Sequence, residues 1–447
     1  MKKYFLAVAS FFIYSHISLG QVYPGQMDST FVPVRSHHYD PELTFDFCVN
    51  EPAWSNQAGI HSAFGSTDRL YFRKEVPVNH DNDLSSSYST TVWRGERANA
   101  QILVWSSEAL EQVRVSTQDL RSAEGNIIPK DRITFELVRY VLSNYPYAEK
   151  KAICGESPYK SGFLMPDRFE TLDRFDLPSQ TTRPVWMMVD VPRGTVPGTY
   201  KGQVEVRAKG KAPQLLNLEI VVQNQLLPYP KDWKYRLDLW QNPWAVAWYN
   251  HVEPWSPEHK MLLKQHLKHY ADAGGTYITT YGVHSPWSDN SYMIEGGMIE
   301  WIKKADGTWA FDYKIFDEYV ELAMECGIDE AITLYTPIPW GFRHRYKDEA
   351  TGDYSYINWA PSSEEFKKMW NIFLTDFKFH LEAKSWLDIT YIGINENPME
   401  ETLAAINVVR NHDKCWKITY AGNWHKELDG LLDDYSFLYG EEPTIAE

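Results

Sequence analysis

The sequence predicts a multidomain β plus α/β chain: an N-terminal β-sandwich, then a (β/α)8-type barrel that stops short of its last strands. Three observations carry this. Before Leu227 the apolar residues fall in short, partly alternating runs separated by turn residues, with almost no helical periodicity, as in antiparallel half-buried strands. After Pro228 short β-branched runs alternate with amphipathic stretches of helical period, as in parallel strands joined by crossover helices. No Gly-rich loop follows the first of these later strands, which disfavours a doubly wound nucleotide-binding sheet. The expected organisation is a leader over residues 1–20, a sandwich over 23–227 and an incomplete barrel over 228–447.

The chain opens with Met1-Lys-Lys, an apolar run from Tyr4 to Leu19, and Ser18-Leu-Gly20 before Gln21. This pattern predicts export to a periplasmic or extracellular space. The run is too short for a confident membrane span, no other segment is apolar enough for one, and no Cys follows the cleavage point to take a lipid. Cys48, Cys154, Cys326 and Cys415 lack metal spacing and are too scattered for a disulfide scaffold, so buried free thiols are expected.

In the first part, strands are expected at Thr44 to Cys48, Arg69 to Phe72, Gln101 to Trp105, Val113 to Val115, Ile133 to Val138 and Val185 to Val189. Gly198 to Arg207 and Leu216 to Val222 read as a hairpin. Val78 to Ser89 and Ile153 to Gln180 read as long loops. Leu226-Leu-Pro-Tyr-Pro-Lys231 is the expected joint.

In the second part the first strand is expected at Tyr235 to Trp240. Ser256-Pro257-Glu258 opens a helix with an N-cap, Pro at its first position and an early acid, and Gly274-Gly275 closes it. Tyr277 to Tyr281 is the second strand, and Met298 to Tyr313 is a hairpin turning at Asp306-Gly307. Ile315 to Cys326 is a helix, Ala331 to Tyr335 the third strand, and Ser362/Ser363 cap a long helix reaching Ala383. Ile389 to Ile394 is the fourth strand, Met399 to Arg410 the next helix, Trp416 to Tyr420 the fifth strand and Tyr435 to Tyr439 the sixth. A closed barrel needs eight, so the chain reads as truncated.

Composition narrows the function. Asp and Glu outnumber Lys and Arg by 60 to 44, a net charge of −16 with no basic block, which excludes nucleic acid as an expected partner. The chain holds 18 Trp and 28 Tyr, and flat amphipathic rings suit the apolar C–H face and hydroxyl rim of a sugar. Many of these rings also fill the core. The lip of the barrel, just past each strand, offers Trp240, Gln241 and Asn242 with Trp244, Tyr281 and His284 with Trp287, Tyr335 with Trp340, Asn395 and Glu396, Asn423, Trp424 and His425, and Tyr439 with Glu441 and Glu442. That set is aromatic, amide, imidazole and carboxylate, with no metal-spaced His cluster and no Gly-x-Ser-x-Gly elbow, so no metal and no cofactor are expected. A glycosidase lip looks like this, with stacking platforms, hydroxyl partners and a carboxyl acid, so glycoside hydrolysis is the expected chemistry. Glu396 is the expected general acid/base, partly enclosed between Trp340 and Trp424. His344, between Arg343 and Arg345, is expected to be solvated on a loop.

The wording and order of Trp93-Arg-Gly-Glu-Arg97, Pro197-Gly-Thr-Tyr-Lys-Gly202, Trp309-Ala-Phe-Asp312 and the carboxyl motif after the fourth barrel strand resemble glycoside hydrolase family 123, the β-N-acetylgalactosaminidases. The resemblance runs from about Phe45 to the end. It implies substrate-assisted retaining hydrolysis of a glycan, oligosaccharide or glycosphingolipid-type, ending in β-linked N-acetylgalactosamine. The substrate's 2-acetamido oxygen attacks the anomeric carbon. A family Asp-Glu pair holds that group and handles the proton. By position Glu396 takes the acid/base role, and Asn395 stands where the family has Asp. Two alternatives stay open. One is a retaining barrel glycosidase using Asn395-Glu396 with a nucleophilic Glu beyond residue 447. The other is a secreted sugar-binding protein without turnover.

Overall fold

The structure, a computed structural model, describes residues 51–78, 84–143, 163–287 and 296–437. They form two compact units that divide between Pro228 and Tyr229. The expected leader, the Thr44 to Cys48 strand, Cys48, Cys154 and Tyr439 lie outside the described residues.

The first unit is mostly β-sheet. One antiparallel sheet runs His61–Gly65, Arg97–Ser106, Thr181–Asp190, Ile133–Ser143, Phe163–Thr171 in spatial order. The second runs Ser87–Arg94, Gln214–Leu226, Gly198–Arg207, Leu110–Thr117, Phe175–Leu177. Both turn apolar faces into one core, where Val104 and Met187 of the first sheet and Val204 and Ile220 of the second are fully buried. The predicted hairpin forms, with Val204 opposite Leu216. Gly202 is required within it, because a Cβ there would lie 2.5 Å from Leu120 Cδ2.

Three expectations fail in this unit. Arg69 to Phe72 is not a strand. Two of its carbonyls are met by side chains instead: Gln101 Nε2 donates to Arg69 O (3.2 Å) and Tyr140 Oη to Tyr71 O (2.8 Å). The expected loop Val78 to Ser89 runs into the strand Ser87–Arg94, an edge strand whose single buried position, Val92, gives it little apolar signature. The expected loop Ile153 to Gln180 contains the strands Phe163–Thr171 and Phe175–Leu177.

The second unit is mixed α/β. Five parallel strands lie side by side in chain order: Tyr277–Tyr281, Ala331–Tyr335, Thr390–Asn395, Lys417–Ala421 and Asp434–Ser436. Spatial order follows chain order across all five, without the reversal that a doubly wound sheet makes partway. The first two strands are buried at every position, as parallel strands covered by helices must be. Of their buried threonines, Thr280 Oγ1 donates to Thr333 O at 2.9 Å, while Thr333 Oγ1 has no hydrogen-bond partner among the described residues. The expected strand Tyr235 to Trp240 is reduced to a single parallel bridge, Leu237 with Gly275. The Leu237 carbonyl accepts both from Thr276 N (3.3 Å), within that bridge, and from Tyr270 Oη (2.7 Å).

The helices begin where capping chemistry dictates. Ser256 accepts from His259 N to open Pro257–Asp272, and Ser363 accepts from Phe366 N to open Glu364–Lys384. The long helix buries Phe366, Trp370, Phe373, Phe377 and Leu381, each worth about 1.5–3 kcal/mol of burial. Trp301, on the predicted hairpin Glu300–Lys303 and Trp309–Asp312, stacks on Phe373 at 4.8 Å. Lys314–Glu325 and Met399–His412 complete the expected helices.

Two elements were not foreseen. A short helix, Pro243–Asn250, is capped by the Asn242 side chain accepting from Ala245 N. An antiparallel pair, Arg343–Asp348 with Tyr354–Asn358, forms next to the predicted hairpin. Strand alternation inside that pair corrects the expectation for His344. It is 2% exposed, packed on Trp359 at 4.8 Å and near Trp301 and Trp370, while its arginine neighbours face the other way. Of the described cysteines, Cys326 is buried and Cys415, against expectation, is exposed. No helix among the described residues is long and apolar enough to cross a membrane.

Candidate active site

The site is built on the strand Thr390–Asn395. Its close fit against the neighbouring strand requires Gly393, where a Cβ would lie 2.9 Å from the Tyr335 ring. Asn395, opposite Ala421, is its last paired residue. Glu396 follows at the C-terminal lip, and Pro398 caps the helix Met399–His412. Parallel strands of this winding keep their chemistry at that lip.

A cleft of about 350 Å³ opens there, lined by Trp240, Gln241, Asn242, Tyr281, Trp287, Trp340, Asn395, Glu396, Ala421 and Gly422. Its aromatic wall is layered. Trp240, 48% exposed, stacks on Trp287 with centroids 5.3 Å apart and planes 22° from parallel. Tyr335 lies beneath, 5.0 Å from Trp240 and 5.4 Å from Trp287. Trp340 is tied to the Trp287 segment by its backbone N–H, which donates to Pro286 O at 2.8 Å.

Asn395 is 1% exposed. The amide orientation that satisfies its neighbours points Nδ2 at the Ile338 carbonyl (2.7 Å) and the Thr336 hydroxyl (3.1 Å), leaving Oδ1 to accept from Trp340 Nε1 (3.3 Å). Asn397 Nδ2 donates to the same Ile338 carbonyl at 3.0 Å. The surroundings of Asn395 thus offer an acceptor on one side and a donor on the other, the complement of an amide.

Glu396 departs from expectation. It is exposed rather than enclosed between Trp340 and Trp424, because it sits one residue past the last strand pair. Asn423 Nδ2 holds it by donating to Oε1 at 2.8 Å. Glu396 and Trp340 share the cleft, while Trp424 is half-buried on the Asn423 loop and is not among the lining residues.

The structure therefore brings Trp240, Trp287, Trp340, Asn395 and Glu396 into one cleft, with Asn423 bonded to Glu396. Tyr335 is 1% exposed and supports the platform from below instead of facing the cleft, and burial pushes its hydroxyl pKa upward. His284 is half-buried outside the lining; burial first, then Arg345 and Arg343, press its pKa down to about 4, so its imidazole is neutral at pH 7. Tyr439, Glu441 and Glu442 lie outside the described residues. Gln241, Asn242 and Tyr281 of the expected lip also line the cleft, and Ala421 and Gly422 wall it without having been singled out. Asp238, two residues before Trp240, was also overlooked. Its Oδ1 is buried with no hydrogen-bond partner among the described residues, and burial together with the Asp434 charge raises its pKa to about 6. No group of three or more His, Cys, Asp or Glu side chains among the described residues is placed to hold a metal ion.

A cleft of this size, with a stacking wall, neutral amides and one accessible carboxylate, can seat a sugar ring and move a proton at its glycosidic oxygen. Comparison with known proteins agrees. Residues 240–447 match the family profile described as the glycoside hydrolase 123 catalytic domain, and residues 64–208 that of the glycoside hydrolase 123 N-terminal domain. A family 123 glycoside hydrolase from Clostridium perfringens, studied for the details of glycolipid glycan hydrolysis, is similar with a TM-score of 0.75 and 25% identity, over 86% of this chain and 68% of that one. A family 39 glycoside hydrolase from Bacteroides cellulosilyticus WH2 (13% identity, TM-score 0.24, 70% of this chain and 48% of that one) is too distant to carry an argument. So is a GH5 xyloglucanase from Bacteroides ovatus (9% identity, TM-score 0.16, 77% and 55%). No curated protein sequence matches the chain. With both family regions found in order along one sequence, and a fold likeness covering most of it, the chain belongs to glycoside hydrolase family 123.

Proposed function

We propose that this glycoside hydrolase removes terminal β-linked N-acetylgalactosamine from an oligosaccharide or glycolipid glycan by substrate-assisted retaining hydrolysis, with Glu396 as general acid/base. The reading places the enzyme outside the cytoplasm, after removal of its leader, and takes the parallel sheet as part of a (β/α)8 barrel. One observation carries it: Asn395 and Glu396, the family's paired positions, share a cleft with the Trp240–Trp287 stack.

In the first step the 2-acetamido carbonyl oxygen attacks the anomeric carbon as the glycosidic C–O bond breaks. The leaving oxygen keeps the electron pair and takes the Glu396 proton, and an oxazolinium ion remains. In the second step Glu396, now a carboxylate, takes a proton from water. The water oxygen attacks the anomeric carbon, and the acetamide re-forms with net retention. Asn423, bonded to Oε1, leaves Oε2 for the leaving oxygen. Trp240 stacks on the sugar's apolar face. Asn395 accepts from the acetamido N–H.

The test is turnover of aryl N-acetyl-β-galactosaminides by the full-length protein and its inhibition by a thiazoline mimic of the oxazolinium ion. Glu396→Gln should lower turnover about 10²–10⁴-fold for poor leaving groups and far less for good ones, which depart without protonation. Equal losses, or turnover indifferent to the thiazoline, would count against the mechanism.

The amide-shaped surroundings of Asn395 support a second reading, in which Asn395 binds a sugar 2-hydroxyl and a protein carboxylate about 5–5.5 Å from Glu396 is the nucleophile. Covalent trapping of a fluoro-sugar on a Glu would favour it. Binding without hydrolysis would leave the chain a sugar-binding protein.

A further inference from the structure

The antiparallel pair Arg343–Asp348 and Tyr354–Asn358 has two unlike faces. One face carries His344, Tyr346 and Ile357 into the core. The other carries Arg343, Arg345 and Lys347 opposite Asn358, Tyr356 and Tyr354. On this outer face each arginine reaches diagonally to the next tyrosine. Arg343 Cζ lies 3.7 Å from the centroid of Tyr356, and Arg345 Cζ lies 4.2 Å from that of Tyr354. Tyr354 and Tyr356 are themselves among the exposed large rings of the protein. Such contacts use the flat face of a guanidinium and leave its in-plane N–H edge free.

The two arginines differ in what already neutralises them. Arg345 Nη2 stands 3.8 Å from Glu300 Oε2, which also accepts from Tyr354 Oη at 3.2 Å. Arg343 has no carboxylate within ion-pair distance and no side-chain hydrogen bond among the described residues. A held guanidinium with no carboxylate partner among the described residues keeps its N–H edge available to an anion from outside.

Chain connectivity keeps that guanidinium close to the cleft. Arg343 follows the turn Trp340–Phe342, and Trp340 lines the cleft. Three residues span at most about 11 Å, and an arginine side chain reaches further still. His284, three residues past the strand Tyr277–Tyr281, feels the charges of both arginines.

We propose that the Arg343–Tyr356 face continues the substrate groove beyond the cleft and selects glycans that carry an anionic substituent, a carboxylate or a sulfate ester, next to the sugar being released. Arg343 supplies the fork of N–H donors, Tyr356 fixes the plane of that fork, and Arg345 adds positive potential behind it. This rests on the family reading of the cleft as the site of glycosidic cleavage. It adds the class of glycan that the leaving-group side accepts.

The experiment uses the full-length protein and three glycans with the same terminal N-acetyl-β-galactosaminyl residue: one neutral, one sulfated and one carboxylated on the adjoining sugar. kcat/KM and, independently, binding to Glu396→Gln protein are measured at low and at physiological salt. At low salt, the preferred anionic glycan is expected to exceed the neutral one about tenfold in both readouts. The sulfated and carboxylated arms identify which anion is preferred. Arg343→Met should bring the anionic-to-neutral ratio to about one, while a change at exposed Lys367, outside the hairpin, leaves the ratio as it was. A ratio near one in the unaltered protein, or a ratio that survives Arg343→Met, overturns the proposal even if the neutral glycan is cleaved. Failure to cleave any of the three, with anion-selective binding retained and lost in Arg343→Met, overturns the cleavage mechanism and leaves the anion site standing.

Discussion

Asn395→Asp restores the residue type that the family resemblance places at this position, and the structure sets how the change should behave. In the substrate-assisted mechanism a carboxylate there holds the acetamido N–H and shares the oxazolinium charge, a term worth about 2–4 kcal/mol or roughly 10²–10³-fold in rate. The same carboxylate must sit where Asn395 Nδ2 now donates to the Ile338 carbonyl at 2.7 Å. An ionised oxygen there faces another oxygen with no proton between them, and loss of that buried hydrogen bond costs about 1–3 kcal/mol. This cost falls on the folded state as a whole, so it raises the pKa of the new carboxyl and does not raise the barrier. Below that pKa the carboxylic acid donates to Ile338 O much as the amide does. The variant then matches the parent in stability and rate. Above it the carboxylate is present, the rate gain appears and the fold loses about 1–3 kcal/mol. Steady-state kinetics on aryl N-acetyl-β-galactosaminide at about pH 4 and about pH 8, with thermal melts at both, read the two effects separately. A fall in activity on N-acetylated and plain galactosides alike would transfer the role of Asn395 to the protein-nucleophile mechanism. Unchanged kinetics at both pH values would refute the placement of Asn395 at the reacting centre.

Other perturbations separate the layers of the site. Trp240→Ala removes a half-exposed platform and should raise KM about tenfold with little change in melting temperature, whereas Trp287→Ala, at a buried ring beneath it, should also cost about 3–5 kcal/mol of stability in a denaturant titration. Equal stability losses in the two variants would show that the layering is wrong. Asp238 ionises near 3.8 in the unfolded chain and near 6 in the fold, so the folded state holds the extra proton and stability falls as pH rises from about 4 to about 6. Asp238→Asn removes a penalty of up to about 3 kcal/mol, and its melting temperature should exceed the parent's at pH 7 and match it at pH 4. Parallel melting curves across that range would exclude the buried-acid account. Trp301→Ala should cost about 3–5 kcal/mol, measured by denaturant unfolding, because its ring stacks on Phe373 and its Nε1 donates to Gly282 O at 2.8 Å.

The elements legible in the sequence are those whose signal is local. Ser256-Pro257 and Ser363 announced helix starts because the cap is made by the residue itself. Ile389 to Ile394 read as a buried strand because most of its side chains are covered whichever way they point; in Thr390–Asn395 Tyr391 alone is half-buried. The pair Arg343–Asp348 and Tyr354–Asn358 escaped because both its faces carry polar or charged residues. His344 is buried by packing on Trp359, which no neighbour in sequence reveals. Tyr235 to Trp240 failed in the opposite sense: it has strand composition, but among the described residues its pairing stops at one bridge, where the Leu237 carbonyl accepts from both Thr276 N and Tyr270 Oη.

Depth is what the sequence could not resolve at the site. Tyr335 and Trp240 are both aromatic residues at strand ends, yet one is sealed under the other. Asn395 and Glu396 are adjacent, but the strand pairing ends between them, so the amide is held in the wall while the carboxylate stands free at the lip with Asn423. That one-residue step divides the labour the mechanism needs. The group that positions substrate must not move, and the wall fixes Asn395 through Ile338 and Trp340. The group that exchanges protons with the leaving oxygen and then with water must reach both, and only a residue past the last strand pair has that freedom. A residue inserted between them would rotate Glu396 away from the cleft, and a residue removed would bury it. The motif is therefore read correctly only with its position at the end of the sheet.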